Sequence, residues 1–218
     1  MTGRVLIVLG GDRPEPGRLA AWIQSASLVV AADSGADRVL EAGGIPDVLI
    51  GDLDSASALA REKARKAIQI EDQGSTDCDK ALAYVASLGA GSVVLANVEG
   101  GLPDHHLATL HSAAKAPIDA ILAFERGLGH ALVGPREITY RTRADARVSF
   151  LPIEPCQGVD LQGVEWELRQ AEMRPLGATS ISNRAVGDRV RISLHSGAGL
   201  VFIETDGLPN WDFGGDFA

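Results

Sequence analysis

Val48-Leu49-Ile50-Gly51-Asp52-Leu53-Asp54-Ser55 runs from an unbroken apolar triplet straight into an acidic turn. A strand without polar alternation is buried on both faces, as in a parallel sheet. Open parallel sheets hold ligands just beyond the carboxyl ends of their strands, where this acidic turn falls. A second block, Asp72-Gln73-Gly74-Ser75-Thr76-Asp77-Cys78-Asp79-Lys80-Ala81-Leu82, places a lysine within one helical turn of several carboxylates. That combination suits a magnesium–phosphate site better than a solvated acidic surface. The two blocks point to an enzyme that handles a nucleotide.

Outward from these blocks, apolar runs recur at 5–9, 28–32, 93–96 and 118–124, each the length of a buried strand. Helical patterns separate them at 16–25, 34–42, 56–67, 76–89 and 104–116. Ala81, Tyr84, Val85 and Leu88 follow i, i+3, i+4, i+7 spacing, which predicts one helix face lying on the sheet. Strands alternating with helices predict a doubly wound, mostly parallel α/β sheet. Beyond Gly127-Leu128-Gly129 the texture changes to short, partly alternating segments at 137–141, 147–151, 164–168, 189–194 and 200–205, separated by Gly, Pro or Asp. No amphipathic helix is evident there, so a C-terminal all-β sandwich is expected. The expected division is an α/β nucleotide-binding catalytic domain over 1–128 and a β-sandwich over 129–218.

The chain of 218 residues is 45% hydrophobic and 22% charged, ordinary for a soluble globular protein. Its net charge of −9 argues against a nucleic-acid partner, which needs a basic face. Of the four lysines (63, 66, 80 and 115), only Lys80 lies inside an acidic block. Cys78 and Cys156 match neither a disulfide framework nor a zinc pattern, and two free thiols fit a reducing compartment. The apolar run at 5–9 is too short for a signal peptide, and no stretch approaches the roughly 20 apolar residues of a membrane span. A cytoplasmic protein without membrane contact is expected. Trp22, Trp166 and Trp211 read as core or surface anchors.

Asp52 and Asp54 would share a face of an extended chain, roughly 7 Å apart, so both could reach one Mg²⁺. The same residues also read as a polar turn in which Asp54 or Ser55 caps the following helix. Thr76 is a plausible N-cap, with Asp77 first in its helix. Asp77 and Lys80, three residues apart, then point to one side as metal and phosphate contacts. Asp79 lies about 160° around from Asp77 and would complete a capping box with Thr76. Acidic residues at a helix start also complement its dipole without any ligand. In Gly100-Gly101-Leu102-Pro103-Asp104-His105-His106, the glycines allow close backbone approach to a ligand. Asp104 opens the next helix there, as a site residue or as a plain cap. His105, His106 and His111 lack the spacing of a helical zinc pair. Ser182-Asn183 precedes a strand–turn–strand pattern and is common turn chemistry.

Taken in order, these segments resemble the thiamine pyrophosphokinase family. The resemblance rests on Ala32-Asp33-Ser34-Gly35-Ala36, Ile45-Pro46-Asp47 with Gly51-Asp52-Leu53-Asp54-Ser55, Thr76-Asp77-Cys78-Asp79-Lys80-Ala81-Leu82, Gly100-Gly101 with Asp104-His105, and Ser182-Asn183. It spans roughly residues 30 to 200. It implies an α/β domain followed by a β-sandwich, in a homodimer whose sites lie at the subunit interface. It also implies transfer of the pyrophosphoryl group of ATP to thiamine, giving thiamine diphosphate and AMP. By motif position, Asp52, Asp54 and Asp77 would hold Mg²⁺ and Lys80 the polyphosphate. Asp33, Gln73, Thr76, Gly101 and Asp104 would help place the substrates, and Ser182 and Asn183 would line the thiamine pocket.

Two departures stand out. Family members usually carry Arg after the Gly-Gly pair, where this chain has Leu102-Pro103, and often Asn where Thr109 stands. A missing guanidinium removes a bidentate phosphate partner; Arg126 and Arg184 are the alternative sources. No aromatic residue follows Ser182-Asn183 closely. Two further readings remain: a phosphohydrolase acting on a nucleotide or phosphorylated metabolite at the same acidic site, and a non-catalytic thiamine or nucleotide sensor, which Leu102 favours.

Overall fold

The structure, a computed structural model, describes residues 3–12 and 17–205; Trp211 lies outside them. The chain divides into two compact units, 1–125 and 126–218.

The first unit is built on six parallel strands: β1 Val5–Val8, β2 Leu28–Ala32, β3 Val48–Gly51, β4 Ala67–Gln69, β5 Ser92–Ala96 and β6 Asp119–Phe124. Their order is β6-β5-β1-β2-β3-β4. All adjacent pairs are parallel, with Leu6 beside both Val29 and Val94. The strands bury every residue of β1 and nearly all of β2, β3 and β5, as expected for a parallel sheet covered by helices. Those helices are α1 Arg18–Ser25, α2 Gly35–Glu41, α3 Ala58–Lys63, α4 Asp77–Ser87 and α5 Pro103–Lys115. From β1 the chain steps outward through β2, β3 and β4, then returns to place β5 on the other side of β1. The carboxyl ends of β1 and β5 therefore flank the point where the winding reverses.

Two sequence expectations shift here. The patch 56–67 is a short helix followed by an edge strand, β4, because Ala64 leaves helical geometry (ψ 134°). The buried face of α4 is Cys78, Ala81, Leu82 and Val85, whereas Leu88 caps the helix and is exposed. The i, i+3, i+4, i+7 pattern is present, but it begins three residues earlier than the apolar residues alone suggest, with the small cysteine as its first member.

The second unit is all β: β7 Gly127–Val133, β8 Arg136–Arg141, β9 Arg147–Pro152, β10 Cys156–Gln162, β11 Leu168–Met173, β12 Ser180–Arg184, β13 Arg189–Leu194 and β14 Ala198–Glu204. They form two antiparallel arrays, β12-β9-β14-β7 and β11-β10-β13-β8. Tyr140 of β8 joins His130 of β7 across the two arrays, its hydroxyl 2.8 Å from Nδ1. The expected strand at 164–168 is instead a turn between β10 and β11, touching Ala185 through a single bridge at Val164. Its residues alternate in polarity, but Gly163 in left-handed geometry (φ 79°) ends β10 before them.

Candidate active site

Loops leaving the carboxyl ends of β2, β3 and β4 bring the acidic residues of the first unit together, and the loop after β5 adds Gly101 and Asp104. Beyond β2, Asp33 turns left-handed (φ 45°), a geometry Asp tolerates better than most residues. Its amide donates to the Ile50 carbonyl at 2.9 Å and its Oδ1 accepts from the Ala56 amide at 3.1 Å. Burial raises its pKa above the ordinary carboxylate value, with the charges of Asp77 and Asp54 adding to the effect against two backbone amides that lower it.

Strand β3 ends at Gly51, so Asp52 and Asp54 do not lie along an extended chain. Leu53 between them is left-handed (φ 67°) and buried, and this turn, not strand alternation, brings the two carboxylates to one place. The loop is tied down on several sides. Asp52 Oδ1 accepts from the Asp54 amide at 3.3 Å, and its Oδ2 accepts from Gln73 Nε2 at 3.3 Å. Gln69 donates to the Asp52 carbonyl, Arg61 to the Leu53 carbonyl, and the Ser57 amide to Asp37. The Asp54 amide, Gln73 and Lys80 hold the Asp52 carboxyl below its usual range. Carboxylate oxygens of Asp33, Asp52 and Asp54 all fall within 4.8 Å of one another.

Helix α4 supplies the remaining charges. Thr76 caps it by accepting from the Asp79 amide at 3.1 Å, and Asp79 Oδ2 accepts from the Thr76 amide at 3.0 Å, a reciprocal capping box. Asp79 then faces Lys115 of α5, with Nζ to Oδ2 at 3.0 Å, away from the acidic cluster. Asp77, first in the helix, accepts at Oδ1 from Lys80 Nζ at 3.0 Å. Gly51 lies between Asp77 and Asp33: a Cβ there would stand 2.9 Å from Asp77 Oδ1 and 3.2 Å from Asp33 Cβ.

These groups border a cavity of about 630 Å³, lined also by Gln73, Thr76, Gly101 and Asp104. Asp104 accepts from the adjacent His105 amide, and Leu102, not Asp104, holds the N-cap position of α5 without a side-chain cap bond. Leu102 is 62% exposed on the cavity rim. Thr109 borders the cavity with its hydroxyl turned back to the His105 carbonyl. His106 lies beside Phe124 with the rings tilted 40° and their centroids 6.1 Å apart. Among the described residues, the one grouping of metal-ligand type contains no histidine. Sequence reasoning passed over the Gly10-Gly11 turn after β1 and Asn97 after β5, both on the cavity wall. The glycine pair directly after an apolar strand was the available signal for the first.

Ser182 and Asn183 belong to the second unit. Ser182 is exposed and left-handed (φ 60°), its amide donating to Ser149 Oγ. Asn183 is buried: its Oδ1 accepts from the Trp166 amide at 3.1 Å, and its Nδ2 donates to the Trp166 carbonyl at 2.7 Å. The carboxamide thus clamps the turn after β10 onto β12. Trp166 itself stands exposed beside it.

Comparison with known proteins gives a consistent result. A family model described as thiamin pyrophosphokinase, catalytic domain, matches residues 19–122. A second, thiamin pyrophosphokinase, vitamin B1 binding domain, matches 136–198. The chain is 27% identical over 211 residues to a thiamine pyrophosphokinase of Bacillus subtilis (strain 168), covering 92% of this chain and 98% of that one. The crystal structure of thiamine pyrophosphokinase from Bacillus subtilis superposes with a TM-score of 0.78 at 24% identity, covering 93% of this chain and 99% of the other. That of thiamin pyrophosphokinase from Candida albicans does so at 0.77 and 19%, covering 93% and 90%. At such identities the superpositions speak for a shared fold, while the two family models together take in most of the chain. With both of that family's domains present in order, the chain belongs to the thiamin pyrophosphokinase family.

Proposed function

We propose that this chain transfers the pyrophosphoryl group of ATP to thiamine, yielding thiamine diphosphate and AMP. The observation that carries the reading is the convergence of Asp33, Asp52 and Asp54 with the Asp77–Lys80 pair on one cavity at the carboxyl edge of the parallel sheet. A divalent ion fits the donor set. Asp33, Asp52 and Asp54 each offer a carboxylate oxygen, all within 4.8 Å of one another, a hard oxygen donor set of the kind Mg²⁺ takes. Asp33, Asp52 and Asp54 would hold the ion, with Asp77 beside them as a fourth carboxylate. A bound Mg²⁺ would supply charge neutralisation for the polyphosphate.

The chain's own residues supply the rest. Lys80, nearly buried, offers a fixed ammonium to phosphate oxygens. Gln73 orients Asp52, and the glycines at 100 and 101 (φ 81° and 71°) let backbone approach the ligand. In the transfer, the hydroxyethyl oxygen of thiamine bonds to the β-phosphorus and the bond from that phosphorus to the bridging oxygen of the α-phosphate breaks. AMP leaves with the electron pair, and the hydroxyl proton passes to a carboxylate on the cavity, Asp77 or Asp104. Positioning and charge compensation provide most of the acceleration in such reactions.

The same reading includes a homodimer that draws the exposed Ser182 region towards the site, and a cytoplasmic location. Among the described residues no helix is long and apolar enough to cross a membrane. The test is incubation with ATP, Mg²⁺ and thiamine, scoring AMP and thiamine diphosphate. Equimolar products that require thiamine are expected. AMP or phosphate release without thiamine would favour a phosphohydrolase, and tight binding without turnover a sensor; either result overturns the reading.

A further inference from the structure

Asn97 follows the last residue of β5, whose carbonyl at Ala96 still accepts from the Leu9 amide at 3.0 Å. The backbone then turns left-handed (φ 57°), a conformation that glycine and asparagine accept most readily. The residue is 7% exposed, and neither its carboxamide oxygen nor its nitrogen has a hydrogen-bond partner among the described residues. Buried amides are ordinarily paired, and leaving both ends unmet is costly. Glycine would satisfy the same backbone without burying two polar groups. The side chain therefore has a use that the ligand-free fold does not supply.

Its position indicates that use. Asn97 borders the cavity where β5 and β1 part, beside Gly10 and Gly11. A Cβ on Gly11 would collide with the Asn97 carbonyl, so the two loops touch here and leave a wall with little side-chain relief. In strand order, Asn97 stands two spacings from Asp33 and three from Asp52 and Asp54, roughly 10 to 15 Å along the sheet edge. A ligand whose phosphates lie at the carboxylates and which extends along the sheet edge towards β5 brings its aromatic ring near Asn97. A carboxamide offers an acceptor and a donor side by side, the complement of an amine beside an unprotonated ring nitrogen.

We infer that Asn97 is a specificity residue which turns its carboxamide into the cavity and reads such an amino-azine edge on a substrate at the winding reversal. The inference rests on the function proposed above. Two substrates of that reaction carry the edge: the adenine of ATP and the aminopyrimidine of thiamine.

Asn97→Gly keeps the left-handed backbone and removes the carboxamide alone. Asn97→Asp keeps its shape and replaces the donor with an acceptor. For wild type and both variants, kcat and KM are measured with ATP against GTP, and with thiamine against its 4′-oxo analogue. The expected result is a melting temperature for Asn97→Gly equal to or above wild type, with a loss of discrimination of about 10-fold or more on one arm. Loss on the ATP/GTP arm identifies the base as the group read; loss on the thiamine arm identifies the pyrimidine. Unchanged discrimination on both arms in either folded variant overturns the inference. Should the wild type bind without turning over, the functional reading fails separately. The same ligand pairs measured by calorimetry then decide the role of Asn97.

Discussion

The ammonium of Lys80 lies 3.0 Å from Oδ1 of Asp77, and the lysine side chain is only 4% exposed. A charge so withdrawn from water depends on its partner, since an unpaired buried ion pays a desolvation cost with no return. Asp77 is thus both a wall of the cavity and the counter-ion that keeps Lys80 in place. Asp77→Asn is expected to abolish turnover while the protein still folds, because Thr76, not Asp77, caps the helix. The cost in stability should be about 1–3 kcal/mol. Thermal denaturation and product analysis on the same preparation check both parts; near-normal activity would remove Asp77 from the site.

Asp79, two residues on, makes the contrasting case. Burial alone would raise its pKa, but hydrogen bonds from Ser112, Thr76 and Lys115 outweigh that and hold it below the ordinary 3.8. A carboxyl depressed in the folded state contributes stability that is fully present above its unfolded pKa. That contribution is lost as pH falls through the lower folded value. Asp79→Asn should therefore retain most turnover, lose about 1 kcal/mol at neutral pH, and show a flatter decline in stability below pH 3.8 than wild type. Denaturant melts across an acid series read the difference; a complete loss of activity would mean that Asp79 belongs to the site.

Gly51 carries no functional atom, yet its missing side chain sets the distance between Asp77 and Asp33. An alanine methyl would sit 2.9 Å from Asp77 Oδ1 and 3.1 Å from its Cγ. At those distances the carboxylates must part or the end of β3 must move. Gly51→Ala is expected to cut kcat by about 10-fold or more, as small misplacements of catalytic groups do. It should also raise the Mg²⁺ concentration needed for half-maximal activity. A Mg²⁺ titration of turnover is the measurement, and an unchanged midpoint would mean that the cluster tolerates the displacement.

Much of this was legible in the chain, and the exceptions have physical causes. The apolar runs at 5–9, 28–32 and 48–50 marked β1, β2 and β3 because strands buried on both faces need no alternation. Thr76, Asp77, Asp79 and Lys80 were placed correctly because helical phase is fixed by spacing alone. Asp52 and Asp54 were brought together by the wrong geometry. The left-handed turn at Leu53 is a backbone conformation that nothing about leucine announces. Asp33 entered the carboxylate cluster from a different strand, a proximity decided by sheet order rather than by local sequence. After residue 126 the segments at 137–141, 147–151, 189–194 and 200–205 marked β8, β9, β13 and β14, whereas β10 and β11 were not read, because a bulged pair carries weak alternation.

Asn183 shows how a motif residue can be structural. Its carboxamide engages the amide and carbonyl of Trp166 and lies 3.3 Å from Ser180 Oγ, so its hydrogen-bonding capacity is spent inside the second unit. Asn183→Ala strands two backbone groups and should lower stability by about 2–3 kcal/mol. Ser182→Ala, at an exposed position, should leave the melting temperature within about a degree of wild type and report on substrate handling alone. If Asn183→Ala melts like wild type while thiamine KM rises, the clamp is dispensable and the residue works on the ligand.

Leu102 is exposed on the rim of the cavity that Asp52, Asp54 and Asp77 also line. At 62% exposure the side chain buries little, so Leu102→Arg should be neutral for stability within about 0.5 kcal/mol. A guanidinium at that place adds a planar, permanently charged fork able to take two phosphate oxygens at once. It also offsets part of the negative field that an incoming polyphosphate must overcome. The expected outcome is a KM for ATP lowered about 3- to 10-fold, an effect that shrinks as salt rises because the site is open to solvent. Steady-state kinetics at low and high ionic strength test this directly. A KM that does not move, or that rises, would mean that the polyphosphate does not pass by the start of α5, and that the carboxylate cluster receives it from another side.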